Sequence, residues 1–226
     1  MKPVLYYIGG EKGGVGKSLL SAAIVDYYRC LNTPVALVET DESNADIGKT
    51  LKDEVPVLAV DTRTEQAWEK LLPFVEQNPG VVIINSGARD LTAIGKYGVD
   101  FLPAIAQAAM MRLVCLWPLN AKNEQDGLQG VTRFHRLLPE TPVIIMQGEW
   151  EGPLGDDWQG SKAKGWVTGV VQVPIANDML IKAIKNGRRL SMQSVIDKGN
   201  VLEKASASGW RTRVATMMEQ VEALIP

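Results

Sequence analysis

Residues 11–18 read Glu-Lys-Gly-Gly-Val-Gly-Lys-Ser, between a short apolar run, Val4–Ile8, and a stretch with helical character from Leu19 to Leu31. A glycine-rich loop joining a strand to a helix constrains the fold more than any other feature of this chain. Glycines at 13, 14 and 16 permit positive φ and turn backbone N–H groups inward. The N–H groups that open the following helix face the same point, so the segment suits a phosphate group. Lys17 is placed to set an ammonium near the outer phosphates of a nucleotide, and Ser18 to offer a hydroxyl to Mg²⁺. Two residues depart from the ordinary G-x-x-x-x-G-K-[ST] pattern. Glu11 stands where the first glycine belongs, and Lys12 is a second lysine that the loop does not require.

The rest of the chain alternates strands with helices. Val35–Val38 is a second apolar strand, running into the acidic, polar segment Glu39–Asn44. Val57–Val60 reads as a short strand. Glu65–Gln77 has helical spacing, with Pro73 weakening its later turns. Val81–Ile84 is a continuous apolar run of the kind found in buried parallel strands and ends in Asn85-Ser86-Gly87. Leu113–Trp117, closed by Pro118, is the next strand, followed by an amphipathic helix over Glu124–Leu138 and strands at Val143–Met146 and Val167–Val173. Helices are expected around Met179–Asn186 and Trp210–Leu224. The glycine-rich segment 148–165, with tryptophans at 150 and 158, reads either as a partner-specific insertion or as flexible surface structure. This order predicts an α/β fold: a doubly wound, mainly parallel sheet with helices on both faces and ligands at the strands' carboxyl ends.

Composition narrows the setting. The 226 residues suit one domain spanning 1–226. The first apolar run is too short for a signal peptide, and Phe101–Met111 is too short to span a membrane. Cys30 and Cys115 lie far apart without metal-ligand spacing, which points to free thiols in the cytoplasm. Net charge is −2, but residues 180–226 carry eight Lys/Arg and four Asp/Glu. A basic C-terminal segment on an acidic body is a feature that an anionic partner could use.

The stretch Lys12-Gly13-Gly14-Val15-Gly16-Lys17-Ser18 resembles the deviant Walker A loop of the ParA/MinD family of P-loop ATPases. Further matches follow in the family's order. Val35–Asn44 resembles its second strand and switch I. Trp117-Pro118 with Asp126-Gly127-Leu128 resembles a later strand end and helix start. Val173-Pro174 with Ala183 and Gly187 resembles an Ile-Pro strand end and an Ala-x-x-x-Gly helix. The run Ile84-Asn85-Ser86-Gly87-Ala88 is similar to ParA-like accessory proteins of conjugative plasmids.

This resemblance implies ATP and Mg²⁺ as cofactors and an ATP-dependent homodimer in which Lys12 reaches the partner's phosphates. It assigns nucleotide contacts to Gly13, Gly14, Val15, Gly16, Lys17, Ser18 and Leu19. The metal falls to Ser18, Asp41 and Asn85, and the catalytic set is Lys12, Lys17 and Asp41. Gln147 and Pro174 occupy positions that contact adenine in related ATPases. Asn85 replaces an aspartate that holds a Mg²⁺-bound water in the family. The exchange of a charged for a neutral acceptor is worth on the order of 1 kcal/mol, implying slow or partner-stimulated hydrolysis. Glu39 or Asp41, on a neighbouring strand end, offers replacement charge. Lys182, Lys185, Arg188 and Arg189 form a candidate nonspecific DNA face. The implied role is a switch in DNA partition or transfer, helped by a protein partner and without a membrane anchor. The alternatives are a P-loop enzyme or metallocofactor-assembly ATPase, and a nucleotide-binding module with little hydrolysis.

Overall fold

The computed structural model describes residues 2–10, 12–40, 46–87, 90–149, 152–186 and 191–225. Seven strands, β1 (Val4–Ile8), β2 (Val35–Glu39), β3 (Val57–Ala59), β4 (Val81–Asn85), β5 (Arg112–Leu119), β6 (Val143–Gly148) and β7 (Gly169–Val173), form one sheet in the order β3-β2-β4-β1-β5-β6-β7. Every pairing is parallel. Strands β1, β2 and β4 are buried at every residue, which is why they read as unbroken apolar runs rather than alternating ones.

Alternate side chains feed two cores. Val4, Tyr6 and Ile8 enter one, while Leu5 and Tyr7 enter the other. The first core is covered by α1 (Lys17–Cys30), α2 (Asp46–Leu51), α8 (Asp178–Ile181), α9 (Met192–Lys198) and α10 (Val201–Leu224). The second is covered by α3 (Glu65–Gln77), α4 (Asp90–Ala93), α5 (Val99–Ala108), α6 (Glu124–Leu137) and α7 (Asp156–Gly160).

Three local expectations are corrected, and one element was not foreseen. Pro118 does not close β5, which runs on to Leu119. The Leu116 carbonyl accepts from Gly9 on the β1 side, so the N–H that Pro118 lacks would also face that side, beyond the end of the β1 pairing. The last helix starts at Val201 rather than Trp210. Val201 and Leu202 are exposed and break the apolar repeat, but Asn200 caps the helix in a capping box with Glu203. A helical run over 90–108, continuous through a wide π-type turn at Ile94–Gly98, was not expected from a sequence bearing Gly95, Gly98 and Pro103. Finally, the described part of 148–165 is packed: Leu154 and Trp158 are buried, and the Gly155 N–H donates to Glu124 Oε1 at 2.7 Å. Trp150 lies outside the described residues.

Helix α10 packs on α1, as the acidic end of its sequence suggests. Arg211 donates two hydrogen bonds to Asp26, at 2.8 and 2.7 Å, and the Tyr28 hydroxyl donates to Glu222 at 3.0 Å. Among the described residues no helix is long and apolar enough to cross a membrane. Because the Asp26 carboxylate is nearly buried, Arg211→Met should lower stability by roughly 1.5–3 kcal/mol, read as a reduced midpoint in urea unfolding.

Candidate functional site

The loop after β1 hangs from the middle of the sheet. Ser86 N–H donates to Ile8 O at 3.2 Å, and Gly9 N–H donates to Leu116 O at 3.1 Å, so both neighbouring strands hold its root. Gly14 (φ 82°) and Gly16 (φ 100°) adopt the left-handed conformation that bends the loop toward α1. Gly16 caps α1 without any side-chain hydrogen bond, and no acidic residue lies in the first turn. The helix start is therefore electropositive and free to meet an anion.

Lys17 completes the loop. Its Nζ donates to Gly10 O at 2.8 Å and to Lys12 O at 2.9 Å, tying both ends of the arch together. Only 8% of Lys17 is exposed. Burial pulls its ammonium down to about 8, against the opposing influence of Asp90. An uncapped helix start, two left-handed glycines and a buried lysine suit a phosphate group, and the loop fits the nucleotide that its sequence implies.

Two buried carboxylates stand near this lysine and the loop's root. Asp90, at the start of α4, accepts from the hydroxyls of Thr62, Thr40 (3.0 Å) and Tyr7 (3.5 Å). Burial raises its carboxyl above the usual range, while the three hydroxyls and Lys17 act the other way. Thr40 also accepts from Gly87 N–H at 2.8 Å, so the ends of β2 and β4 meet through one hydroxyl. Asn85 lies opposite Ile8 on one side and Glu39 on the other. Its Nδ2 donates to Glu39 Oε2 at 2.7 Å, and its Oδ1 lies 3.0 Å from the hydroxyl of Ser21 on α1.

Lys12 points away from its own loop. Its side chain is half exposed and paired with Asp126 in the first turn of α6. Gly127 lets this turn approach β5: a Cβ there would stand 2.4 Å from Leu119 Cδ1. A small cavity of about 20 Å³ beside the pair is lined by Gly10, Val15, Trp117 and Asn120, whose buried Oδ1 has no partner among the described residues. A roomier cleft of about 570 Å³ lies at the amino ends of the strands, around Cys30, Val35 and Asn78, far from the loop.

The structure thus brings Gly13, Gly14, Val15, Gly16, Lys17, Ser18 and Leu19 together at the carboxyl end of β1, with Asn85 one helical turn away through Ser21. Gln147 and Pro174 sit at the carboxyl ends of the paired strands β6 and β7. Gln147 donates to Gly152 O at 3.2 Å, and Pro174 O accepts from Trp210 at 3.0 Å. Asp41, Arg188 and Arg189 lie outside the described residues, as does the side chain of Lys185; Lys182 is exposed. Among the described residues no group of three His, Cys, Asp or Glu could hold a metal by itself. Asp90 was missed by the sequence reading. An aspartate at a helix start is ordinary, and only the packing of Tyr7, Thr40 and Thr62 around it marks it out.

The comparisons with known proteins bear on this arrangement. No family model matches the chain. Protein MobD of Acidithiobacillus ferrooxidans is 28% identical over 231 residues, covering 98% of this chain and 99% of that protein. Protein TraL of Escherichia coli is 24% identical over 178 residues, covering 72% and 73%. In the MinC:MinD cell division protein complex of Aquifex aeolicus, one chain superposes with a TM-score of 0.56 at 15% identity, over 99% of this chain and 97% of that one. The fold is that of a P-loop NTPase, and the resemblance to the ParA/MinD family extends along the whole chain at the level of fold.

The buried lysine yields a pH test. Phosphate favours the ammonium form, so a group with a free value of about 8 must take up a proton on binding above that pH. Nucleotide affinity should be near constant below pH 7 and about tenfold weaker at pH 9, measured by calorimetry. In Lys17→Arg, whose guanidinium stays charged, that pH dependence should flatten.

Proposed function

We propose that this chain is a ParA-like ATPase, a single domain over 1–226, that binds Mg-ATP in the 11–18 loop. It pairs with a second copy across the nucleotide and serves as a switch in DNA partition or transfer. Lys12 is the observation that carries this reading. Lys17 already occupies the loop's interior, whereas Lys12 leaves the loop and, among the described residues, pairs with the carboxylate of Asp126. An exposed lysine held at the rim by an exposed ion pair is available to a partner's phosphates, and such pairs hold weakly, by about 0.2–1 kcal/mol.

In this reading the residues take the following roles. Lys17 contacts the outer phosphates, and the N–H groups of Gly13 to Leu19 surround them. Ser18 offers its hydroxyl to Mg²⁺, and Asp41 and Asn85 are its further partners. Bound Mg²⁺ supplies charge that offsets what develops on the transferring phosphoryl, and Lys12 adds to that effect from the other subunit. Gln147 and Pro174 flank the base. Lys182, Lys185, Arg188 and Arg189, doubled in a dimer, offer a basic face to DNA. A protein partner stimulates the slow hydrolysis, and the setting is the cytoplasm.

A second reading, nucleotide binding with little turnover, is favoured by Asn85. Its amide is engaged by Glu39 and Ser21, and it brings no charge of its own to the metal.

Sizing the protein with Mg-ATP, Mg-ADP and no nucleotide separates these readings. The switch predicts a dimer with Mg-ATP alone, and Lys12→Ala should abolish that dimer while still binding ATP. An unchanged assembly in Lys12→Ala would reject the cross-subunit role. A dimer without turnover would support the second reading. DNA co-sedimentation should require ATP and weaken steeply between low and moderate salt.

A further inference from the structure

We infer that Glu39 supplies the negative charge that position 85 lacks, and that residue 85 is an amide because it is paired with that carboxylate. The inference rests on the reading of the loop as a Mg²⁺–nucleotide site, which it deepens by naming the residue that replaces the strand-end aspartate.

The parallel register sets Glu39 directly opposite Asn85 on neighbouring strands. Both are nearly sealed from solvent, at 2% and 6% exposure. Glu39 Oε2 accepts from Asn85 Nδ2 at 2.7 Å, and Glu39 Oε1 accepts from the backbone N–H of Gly48, in α2, at 2.8 Å. Gly48 makes room for this: a Cβ there would stand 3.0 Å from Glu39 Cγ and 3.1 Å from Val57 Cγ1. On the other side, the Ser21 hydroxyl lies 3.0 Å from Asn85 Oδ1 and 2.9 Å from Lys17 O. The order of polar groups is therefore Gly48 N–H, carboxylate, amide, hydroxyl, and then the first turn of α1 that carries Lys17 and Ser18.

A carboxylate acting at position 85 would meet the Glu39 carboxylate at hydrogen-bond distance, and two carboxylates in one buried site cannot both stay ionised. An amide removes that conflict and passes the orientation of Glu39 on to Ser21. Glu39 is thus a positioning residue whose charge lies one strand away from its usual place. It also anchors α2, so β2, β4, α1 and α2 meet in one polar chain.

The pairing predicts that the two side chains can be exchanged in polarity. In Glu39→Gln/Asn85→Asp, the amide introduced at 39 can donate to the carboxylate introduced at 85 while its oxygen still accepts from Gly48. The new carboxylate retains an oxygen for Ser21. Urea unfolding of the full chain, without nucleotide or metal, reads this directly. Asn85→Asp alone should raise the unfolding constant about tenfold to a hundredfold, because two carboxylates then share the site. Glu39→Gln alone should raise it by a smaller factor, and the double variant should recover most of the loss. Additive losses in the double variant, or a fully stable Asn85→Asp, would overturn the pairing.

Calorimetry with ATP, with and without Mg²⁺, reads the charge. Glu39→Gln should reduce the gain in affinity that Mg²⁺ brings by about fivefold to tenfold, and the double variant should restore it. An unchanged Mg²⁺ gain in folded Glu39→Gln would overturn the assignment of the charge. Absence of ATP binding in the parent chain would instead defeat the nucleotide reading, leaving the unfolding cycle to decide the pairing.

Discussion

Strand β1 lies in the middle of the sheet, hydrogen-bonded to β4 on one side and β5 on the other, and the site depends on that position. A central parallel strand cannot slide without breaking both ladders and exchanging the cores that Tyr6 and Tyr7 fill. Its carboxyl end is thereby a fixed point. The loop springs from it, and the ends of β2 and β4, with Leu116 of β5, are carried to the same height. Leu116 O accepts from Gly9 at the loop's root, and Thr40 N–H donates to Asn85 O at the neighbouring strand end, because the register places them there.

Around that fixed point the protein buries more charge than an apolar core would tolerate. Lys17, Asp90 and Glu39 are each nearly inaccessible, and each is met by several polar groups. Buried charges persist only when so satisfied. The loop carbonyls hold Lys17, hydroxyls hold Asp90, and an amide with a backbone N–H holds Glu39. Lys12 differs in kind. It is half exposed and, among the described residues, paired with one carboxylate, and breaking that pair costs little compared with uncovering Lys17.

Much of the fold was legible in the sequence. Parallel strands covered on both faces must be apolar throughout, so Val4–Ile8, Val35–Val38 and Val81–Ile84 stood out by composition alone. Elements whose existence depends on neighbours were harder to see. Within the run over 90–108, Gly98 makes room for Ile94 and Trp68, whose nearest atoms a Cβ there would meet at 2.8 and 3.1 Å. The start of α10 depends on a capping box rather than on an apolar stripe, and Trp158 in the 148–165 segment is buried only because α7 folds onto the second core.

For the site, the eight residues at 11–18 by themselves determined a phosphate loop, since glycine spacing and a terminal Lys-Ser are local properties of the backbone. The same residues made Lys12 conspicuous. Tertiary structure alone decided how the charges are shared, because hydrogen-bond partners are set by strand order and register rather than by distance along the chain. Lys12 and Asp126 are 114 positions apart, Asn85 and Glu39 are 46 apart, and Asp90 and Thr40 are 50 apart. Asn85, which by sequence reads as a lost aspartate, is in the folded protein the donor that a buried Glu39 requires.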